Sequence, residues 1–442
     1  MDGVSVQQRC RTSQGGAVDS IPVRLVRRAS TSQVLGVAWH GGTLCADDVM
    51  EHTGFTRSTT LQALGALIDL GLMEESTATG EAGNRGTGRP ARWFRIRAEA
   101  GVLVGLEAGH RSMSVVVTDL VGEVRARRSV GIPDPEPSFR QDTTVRRRLA
   151  MAAVADALRG LELGPGDVVG LGIGVPAPVD DQGCSPEGQR GFWRVMHADL
   201  LESFRQDYRC VRMENDAALA ALAERHFGAA KEQRNFVTLL AAWGLGAGVV
   251  LDGHLVRGAR GGVGELGFLD RVPGVGGSQG VHEVVEKFIR SHWRADQLAE
   301  GHPWREFLED RRPRESLLAD LNADDPVTAP LFHALADRFA NLFTLLATVY
   351  DPARIIVAGP VAGDIGAILE AARQRRRRDT GMPAPEIVAS SLGHDVVPLG
   401  AAAAARELAM SEVIEWALIR RNLTQRPTQD EAATPPRAGS VP

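Results

Sequence analysis

The stretch Leu44–Arg97 begins LCADDVMEHTGFTRSTTLQALGALIDLGLMEES and ends GTGRPARWFRIR, and its reading decides the first domain. Val49, Leu61, Leu64, Leu67, Ile68 and Leu72 recur at helical spacing. Gly54-Phe55 interrupts them where two helices need a tight turn. This predicts a short helix, a turn and a second helix. Thr56 is placed to cap that second helix, and Arg57, Ser58, Thr59 and Gln62 then lie at its N-terminal end. In a recognition helix that end enters the major groove, where hydroxyl, amide and guanidinium groups reach phosphates and base edges.

After Gly71 a polar, glycine-rich run from Glu74 to Gly88 leads into RPARWFRIR at positions 89–97, where arginines alternate with apolar residues as on a half-buried strand. Together these read as a winged helix-turn-helix over residues 29–98. Arg89 and Arg92 join the residues of the second helix as candidate DNA contacts, and Ser30 to His40 supply a supporting helix. The plainer alternative is a small helical domain carrying an exposed basic strand. Residues 1–28, rich in Gln, Ser, Gly and Arg without apolar periodicity, read as a flexible arm.

The chain of 442 residues has room for two or three domains with substantial cores. Its net charge of −5 gives no general affinity for polyanions, so any DNA contact must come from a local patch. Cys10, Cys45, Cys184 and Cys210 are scattered without metal-ligand spacing, which suits a reduced, cytoplasmic interior. No apolar run approaches the ~20 residues that span a bilayer, and the N-terminus lacks a hydrophobic signal core. The expectation is a cytoplasmic protein, associated with the nucleoid through DNA, that makes no use of a membrane.

From Gly101 the pattern changes. Val102–Leu106, Met113–Asp119 and Gly122–Val124 read as short strands, Leu149–Leu161 as an alanine-rich helix and Val168–Val175 as a buried strand. A second cycle holds strands Phe236–Leu240, Gly248–Leu251 and Arg354–Ala358, with helices near Val281–Arg290 and Leu331–Tyr350. Two strand-rich halves of similar order suggest a duplicated α/β body over residues 101–424, with a cleft between the halves. The run Arg375–Arg378 has no interleaved aromatics and reads as a solvated helix end. Residues 425–442, rich in Thr, Pro and Ala, read as a disordered tail.

Four motifs stand in the body in this order: GLGIGVPAPVD at 170–180, ENDA at 214–217, GLGAG at 244–248 and GELG at 264–267. With the winged head they resemble the ROK family of repressors and sugar kinases, over roughly Ser30 to Met410. The resemblance implies a two-lobed, actin-like sugar-kinase fold with a sugar held between the lobes. It also implies that Asp216 stands at the general-base position and that Asn215, Glu265 and Glu283 hydrogen-bond sugar hydroxyls. A carboxylate accepts from a hydroxyl while an amide both donates and accepts, so this chemistry is sensible. Asn215-Asp216 is equally suited to capping the helix that follows.

The departures from the family pattern point away from catalysis. Where the kinases carry an Asp-x-Gly-Gly-Thr phosphate turn, this chain has Glu107-Ala108-Gly109-His110-Arg111. Where they carry Gly-Thr-Gly-Ile-Gly, it has Ala242-Trp243-Gly244-Leu245-Gly246, with an indole in place of a small hydroxyl residue. The family's Gly-Gly pair near the adenosine has become Gly359-Pro360. The family's zinc ligands, one histidine and three cysteines, align with Phe268, Gly274, Gly276 and Val281, none of which offers a nitrogen or sulfur donor side chain. The expectation is therefore no cofactor, no metal and no catalytic residue.

The leading reading is a DNA-binding regulator, a repressor of carbohydrate-related genes, that acts as a homodimer or homotetramer on a double-stranded DNA operator and answers a sugar-like effector. A kinase with an appended DNA-binding head and a ligand-blind regulator are the alternatives.

Overall fold

A computed structural model describes residues 21–76, 92–132, 143–185, 191–313, 317–376 and 384–424, without side chains for 21–27, 41 and 423–424. The chain divides into two compact units, one of residues 1–97 with 417–442 and the other of residues 98–416. Arg89, most of the expected wing tip, residues 1–20 of the expected arm, Arg377-Arg378 and the 425–442 tail lie outside the described residues.

In the first unit α1 (Ile21–Gly41) precedes β1 (Leu44–Cys45), α2 (Ala46–Thr53), α3 (Arg57–Asp69), β2 (Met73–Ser76) and β3 (Trp93–Ile96). The helix α1 begins well before the Ser30 expected from the sequence, so residues 21–28 are helical instead of forming a loose arm. The strands make an antiparallel sheet in the order β1-β3-β2, and the order of elements is that of a winged helix-turn-helix. Gly54 makes the turn between α2 and α3 at φ 70°, a left-handed conformation that costs glycine little. Thr56 caps α3, its hydroxyl accepting from the Thr59 N–H at 3.3 Å.

Val49, Leu64, Leu67 and Leu72 of the expected core are buried with Val34, Leu35, Trp39 and Phe94. Leu61 is an exception at 41 % exposure. Thr60, Ala63, Leu64 and Leu67 form the buried stripe of α3. At about 100° per residue, Leu61 falls outside that stripe.

The second unit is a duplicated α/β body. Its first half contains β4 (Val102–Ala108), β5 (Ser112–Asp119), β6 (Val124–Gly131), α4 (Thr143–Arg159) and β7 (Val168–Val175). The short helices α5 (Phe192–His197) and α6 (Leu200–Arg205), then β8 (Val211–Asn215) and α7 (Asp216–His226), complete it. The second half contains β9 (Phe236–Ala241), β10 (Leu245–Leu251), β11 (His254–Leu255), α8 (Val281–His292), α9 (Pro303–Leu308) and α10 (Ala329–Tyr350). Then follow β12 (Arg354–Ala358), α11 (Gly366–Arg375), β13 (Glu386–Ala389) and α12 (Val396–Thr424).

The two sheets have matching orders, β6-β5-β4-β7-β8 and β11-β10-β9-β12-β13. Each is antiparallel on its first three strands and parallel thereafter, which is the duplication expected from the sequence. β7 is buried along its whole length, as a strand covered on both faces must be.

Each half has its own apolar core. In the first, Val104, Leu106, Ile173 and Met213 pack with Ala150 and Val154 of α4; in the second, Leu239, Val285, Phe339 and Phe343 surround Trp304. Burying one such side chain contributes about 1.5–3 kcal/mol, so both sheets are firmly held platforms. Alanine-rich α7 and α12 join them by close backbone approach. A Cβ on Gly400 would collide with the Leu219 carbonyl of α7, and one on Gly248 with the Ala217 carbonyl. The small residues along GAAAAA (400–405) are therefore a packing requirement.

Candidate functional site

In the first unit the N-terminal end of α3 presents Arg57, Ser58 and Gln62 to solvent, with Thr56 beside them. The Thr56 hydroxyl is engaged by the Thr59 N–H and lies 3.0 Å from the Thr59 hydroxyl, so both threonines serve the cap as well as the surface. Arg57 reaches Asp47 of α2 at 3.0 Å, both side chains being about two-thirds exposed. An exposed pair of this kind is worth little and separates readily when a phosphate competes.

The strand arginines are not the unopposed basic stripe that their alternation suggests. Arg92 forms a two-pronged pair with Glu75 at 2.7 Å, and Arg95 pairs with Glu74 at 2.7 Å. The antiparallel register of β2 and β3 sets Glu74 directly across from Arg95. The sequence placed these glutamates in the wing loop, and only the strand pairing reveals the partnership.

In the second unit, the end of β8 and the start of α7 form a polar cluster. Asn215 caps α7 by accepting from the Ala218 N–H at 3.0 Å, while its amide donates to the Ala177 carbonyl at 3.2 Å and to Glu265 Oε1 at 3.4 Å. Asp216, the first residue of α7, accepts from the Ala217 N–H at 2.8 Å. The structure thus brings Asn215, Asp216 and Glu265 together. Glu283 is not joined to them: its carboxylate pairs with Lys287 one turn along α8, at 2.5 Å.

Burial, helped by the charge of Glu265 and opposed by the Ala217 N–H, pushes the Asp216 carboxyl up to about 7. Desolvation also raises Glu265. Glu107, at the end of β4, is pushed up to about 8 by burial and by the charges of Asp216 and Asp395. It joins the cluster through its interaction with Asp216, although its sequence position marks it only as part of the turn Glu107–Arg111. Glu214 is 2 % exposed and is held by Arg257 at 2.6 Å, fixing the strand from which Asn215 and Asp216 project.

The two turns that the resemblance aligns with phosphate turns, Glu107–Arg111 and Ala242–Gly246, meet through side chains. The indole of Trp243 lies on the imidazole of His110, with centroids 4.4 Å apart and 20° between planes, and the Arg111 guanidinium sits 4.2 Å from the indole centre. Phe192 of α5 continues the group, 5.5 Å from His110. Buried Arg146 donates to the Ala108 and Met196 carbonyls, anchoring the first turn from below. Rings and a guanidinium, not backbone N–H groups, therefore dominate the contact between these two turns.

The loop aligned with the family's zinc site carries no donor set for a metal. Phe268 is 78 % exposed with Arg271 over its ring, Gly274 and Gly276 have no side chain, and Val281 is buried carbon. Zinc needs nitrogen, sulfur or carboxylate ligands, so these residues do not fit it. Among the described residues no group of three or more His, Cys, Asp or Glu side chains is arranged to hold a metal.

A model of the ROK family matches residues 103–408, more than half of the chain. The xylose repressor of Bacillus subtilis (strain 168) is 27 % identical over 220 residues, which are 50 % of this chain and 54 % of the repressor. The glucokinase of Streptomyces coelicolor is 26 % identical over 325 residues, covering 70 % of this chain and 98 % of the enzyme. A crystal structure of a ROK family transcriptional regulator, described as a homologue of the E. coli MLC protein, superposes with a TM-score of 0.62 at 18 % identity. It covers 89 % of this chain and 98 % of that one, and at this identity it speaks for the fold alone. No helix among the described residues is long and apolar enough to cross a membrane. The body with its paired sheets, its Asn215-Asp216 cluster and the match over residues 103–408 make this chain a member of the ROK family.

Proposed function

We propose that this chain is a DNA-binding transcriptional regulator, a repressor of carbohydrate-related genes, whose body recognises a sugar-like effector and transfers no phosphate. The observation that carries the reading is the Arg111–Trp243–His110 stack, formed by the two turns that the family resemblance aligns with the phosphate turns of the kinases. A phosphoryl-transfer site works by positioning and charge stabilisation around an accessible phosphate chain, and stacked rings in that space deny it access.

The head supports the output side of the proposal. Arg57, Ser58, Gln62 and the capped start of α3 form an exposed polar end suited to a major groove, and Arg92, just before β3, and Arg89 are further candidate contacts. A homodimer would present two heads to a palindromic operator with half-sites in phase with the helical repeat. On the input side, Asn215, Asp216 and Glu265 offer an amide and two carboxylates to the hydroxyls of an effector, and Glu107 stands by as a third acid. The effector switches DNA binding only insofar as it prefers one conformation of the body.

One observation favours the kinase alternative: a carboxyl held near 7 at Asp216 suits a general base at neutral pH. Incubating the full chain with ATP, magnesium and glucose, xylose or N-acetylglucosamine separates the readings. The proposal expects no sugar phosphate above a no-enzyme control; turnover that depends on Asp216 would overturn it.

A further inference from the structure

The loop that does not fit a metal is nevertheless held in a defined shape. Arg338 of α10 donates from Nε to the Val275 carbonyl at 3.1 Å, and from Nη2 to the Gly277 carbonyl at 2.6 Å and the Gln279 carbonyl at 3.2 Å. Asn341, one turn further along α10, donates to the Gly274 carbonyl at 2.9 Å. Three carbonyls converge on one guanidinium, which meets no carboxylate among the described residues. A planar head with several donors suits such a set of acceptors.

The glycines at two of the metal-ligand positions belong to this arrangement. A Cβ on Gly276 would stand 3.0 Å from Arg338 Nε, and one on Gly274 would stand 2.6 Å from Asn341 Nδ2. Both glycines have left-handed backbones, φ 73° and 77°, which side-chain-bearing residues rarely adopt. The α10 side chains thus fill the room that ligand side chains at 274 and 276 would use.

The loop in turn grips the turn that carries Trp243. Gly280 donates its N–H to the Trp243 carbonyl at 3.0 Å, Leu245 donates to the Ser278 carbonyl at 2.8 Å, and Gly244 bridges Gln279. We propose that Arg338 orders loop 274–280 by hydrogen bonding, with no metal, so that the loop seats Trp243 against His110. Arg338 is then a positioning residue. It acts on the stack through the loop, and touches neither ring.

Peptide-resolved hydrogen exchange on the full chain tests this. Arg338→Ala is expected to speed exchange about tenfold or more both in loop 274–280, at the Gly280 N–H bound to the Trp243 carbonyl, and in the turn 242–246, at the Leu245 N–H bound to the Ser278 carbonyl. Guanidinium ion, far below denaturing concentration, should restore protection, and ammonium should not, because only the former reproduces the fork of donors. Wild-type protein dialysed against a chelator should exchange as before. Should Arg338→Ala fail to fold, Arg338→Lys keeps the charge without the fork and is expected to lose protection in both segments. Unchanged exchange at 242–246 in the variant, or loss of protection on chelation of the wild type, would overturn the proposal.

Discussion

The indole of Trp243 lies parallel to the imidazole of His110, and these residues belong to different halves of the duplicated body. His110 follows β4 of the first sheet and Trp243 follows β9 of the second, so the stack joins the two halves directly. Aromatic pairs contribute about 0.5–1.5 kcal/mol beyond the area they bury. A double-mutant cycle of His110→Ala and Trp243→Ala, read by urea denaturation, should give a coupling energy in that range. Additive effects would mean that the rings are neighbours without interaction.

The acid cluster gives a pH dependence with a definite sign. Asp216 and Glu107 have folded-state values of about 7 and about 8, raised above the ordinary 3.8 and 4.5. In that interval the folded protein binds more protons than the unfolded chain. Their contribution to stability is thus fully present below about pH 4 and is lost as pH rises through about 7 to 8. The Tm of the body should fall between pH 5 and 8.5, and the fall should be shallower in Glu107→Gln. Effector binding should run the other way, since an ionised Asp216 is the better acceptor. An equal Tm slope in the variant would remove Glu107 from the account.

The pairs on β2 and β3 make a prediction about the wing. Glu75 holds Arg92 by both oxygens, so Glu75→Gln removes a negative charge and releases a guanidinium. Affinity for duplex DNA should rise, and the slope of log affinity against log salt should steepen by about one. Arg92→Ala in that background should cancel the gain. A gain that survives the loss of Arg92 would show that Glu75 acts by general repulsion alone.

Gly400 tests the packing of α7 on α12. Alanine there drives its methyl into the Leu219 carbonyl, and such overpacking costs about 1–3 kcal/mol. A lower Tm with intact secondary structure by circular dichroism is the expected result. A variant as stable as the wild type would show that the helices separate without cost.

Much of the fold was legible because its signals are local. Gly54-Phe55 and Thr56 mark a turn and a cap, and Val168–Val175 reads as a buried strand from its composition alone. β6 is legible only at its start, since VRARRSVG is an edge strand with few buried residues to set it apart from a loop. The candidate site divides the same way. Asn215, Asp216 and Glu265 stand in motifs and meet in space, whereas Glu283 keeps its register yet turns to Lys287. The pairing of Arg92 with Glu75 and the grip of Arg338 on loop 274–280 join residues far apart in the chain. No spacing rule in a single sequence announces them.

The proposed output of this protein is sequence-specific DNA binding through the start of α3. The most direct test is selection of fragments from sheared genomic DNA of the source organism by the full chain, followed by footprinting of the wild type and of Arg57→Ala. Protection of a palindromic site near carbohydrate genes is expected, with affinity lowered at least about tenfold by the substitution. Retention of no fragment above competitor DNA, or a footprint indifferent to Arg57, would contradict it.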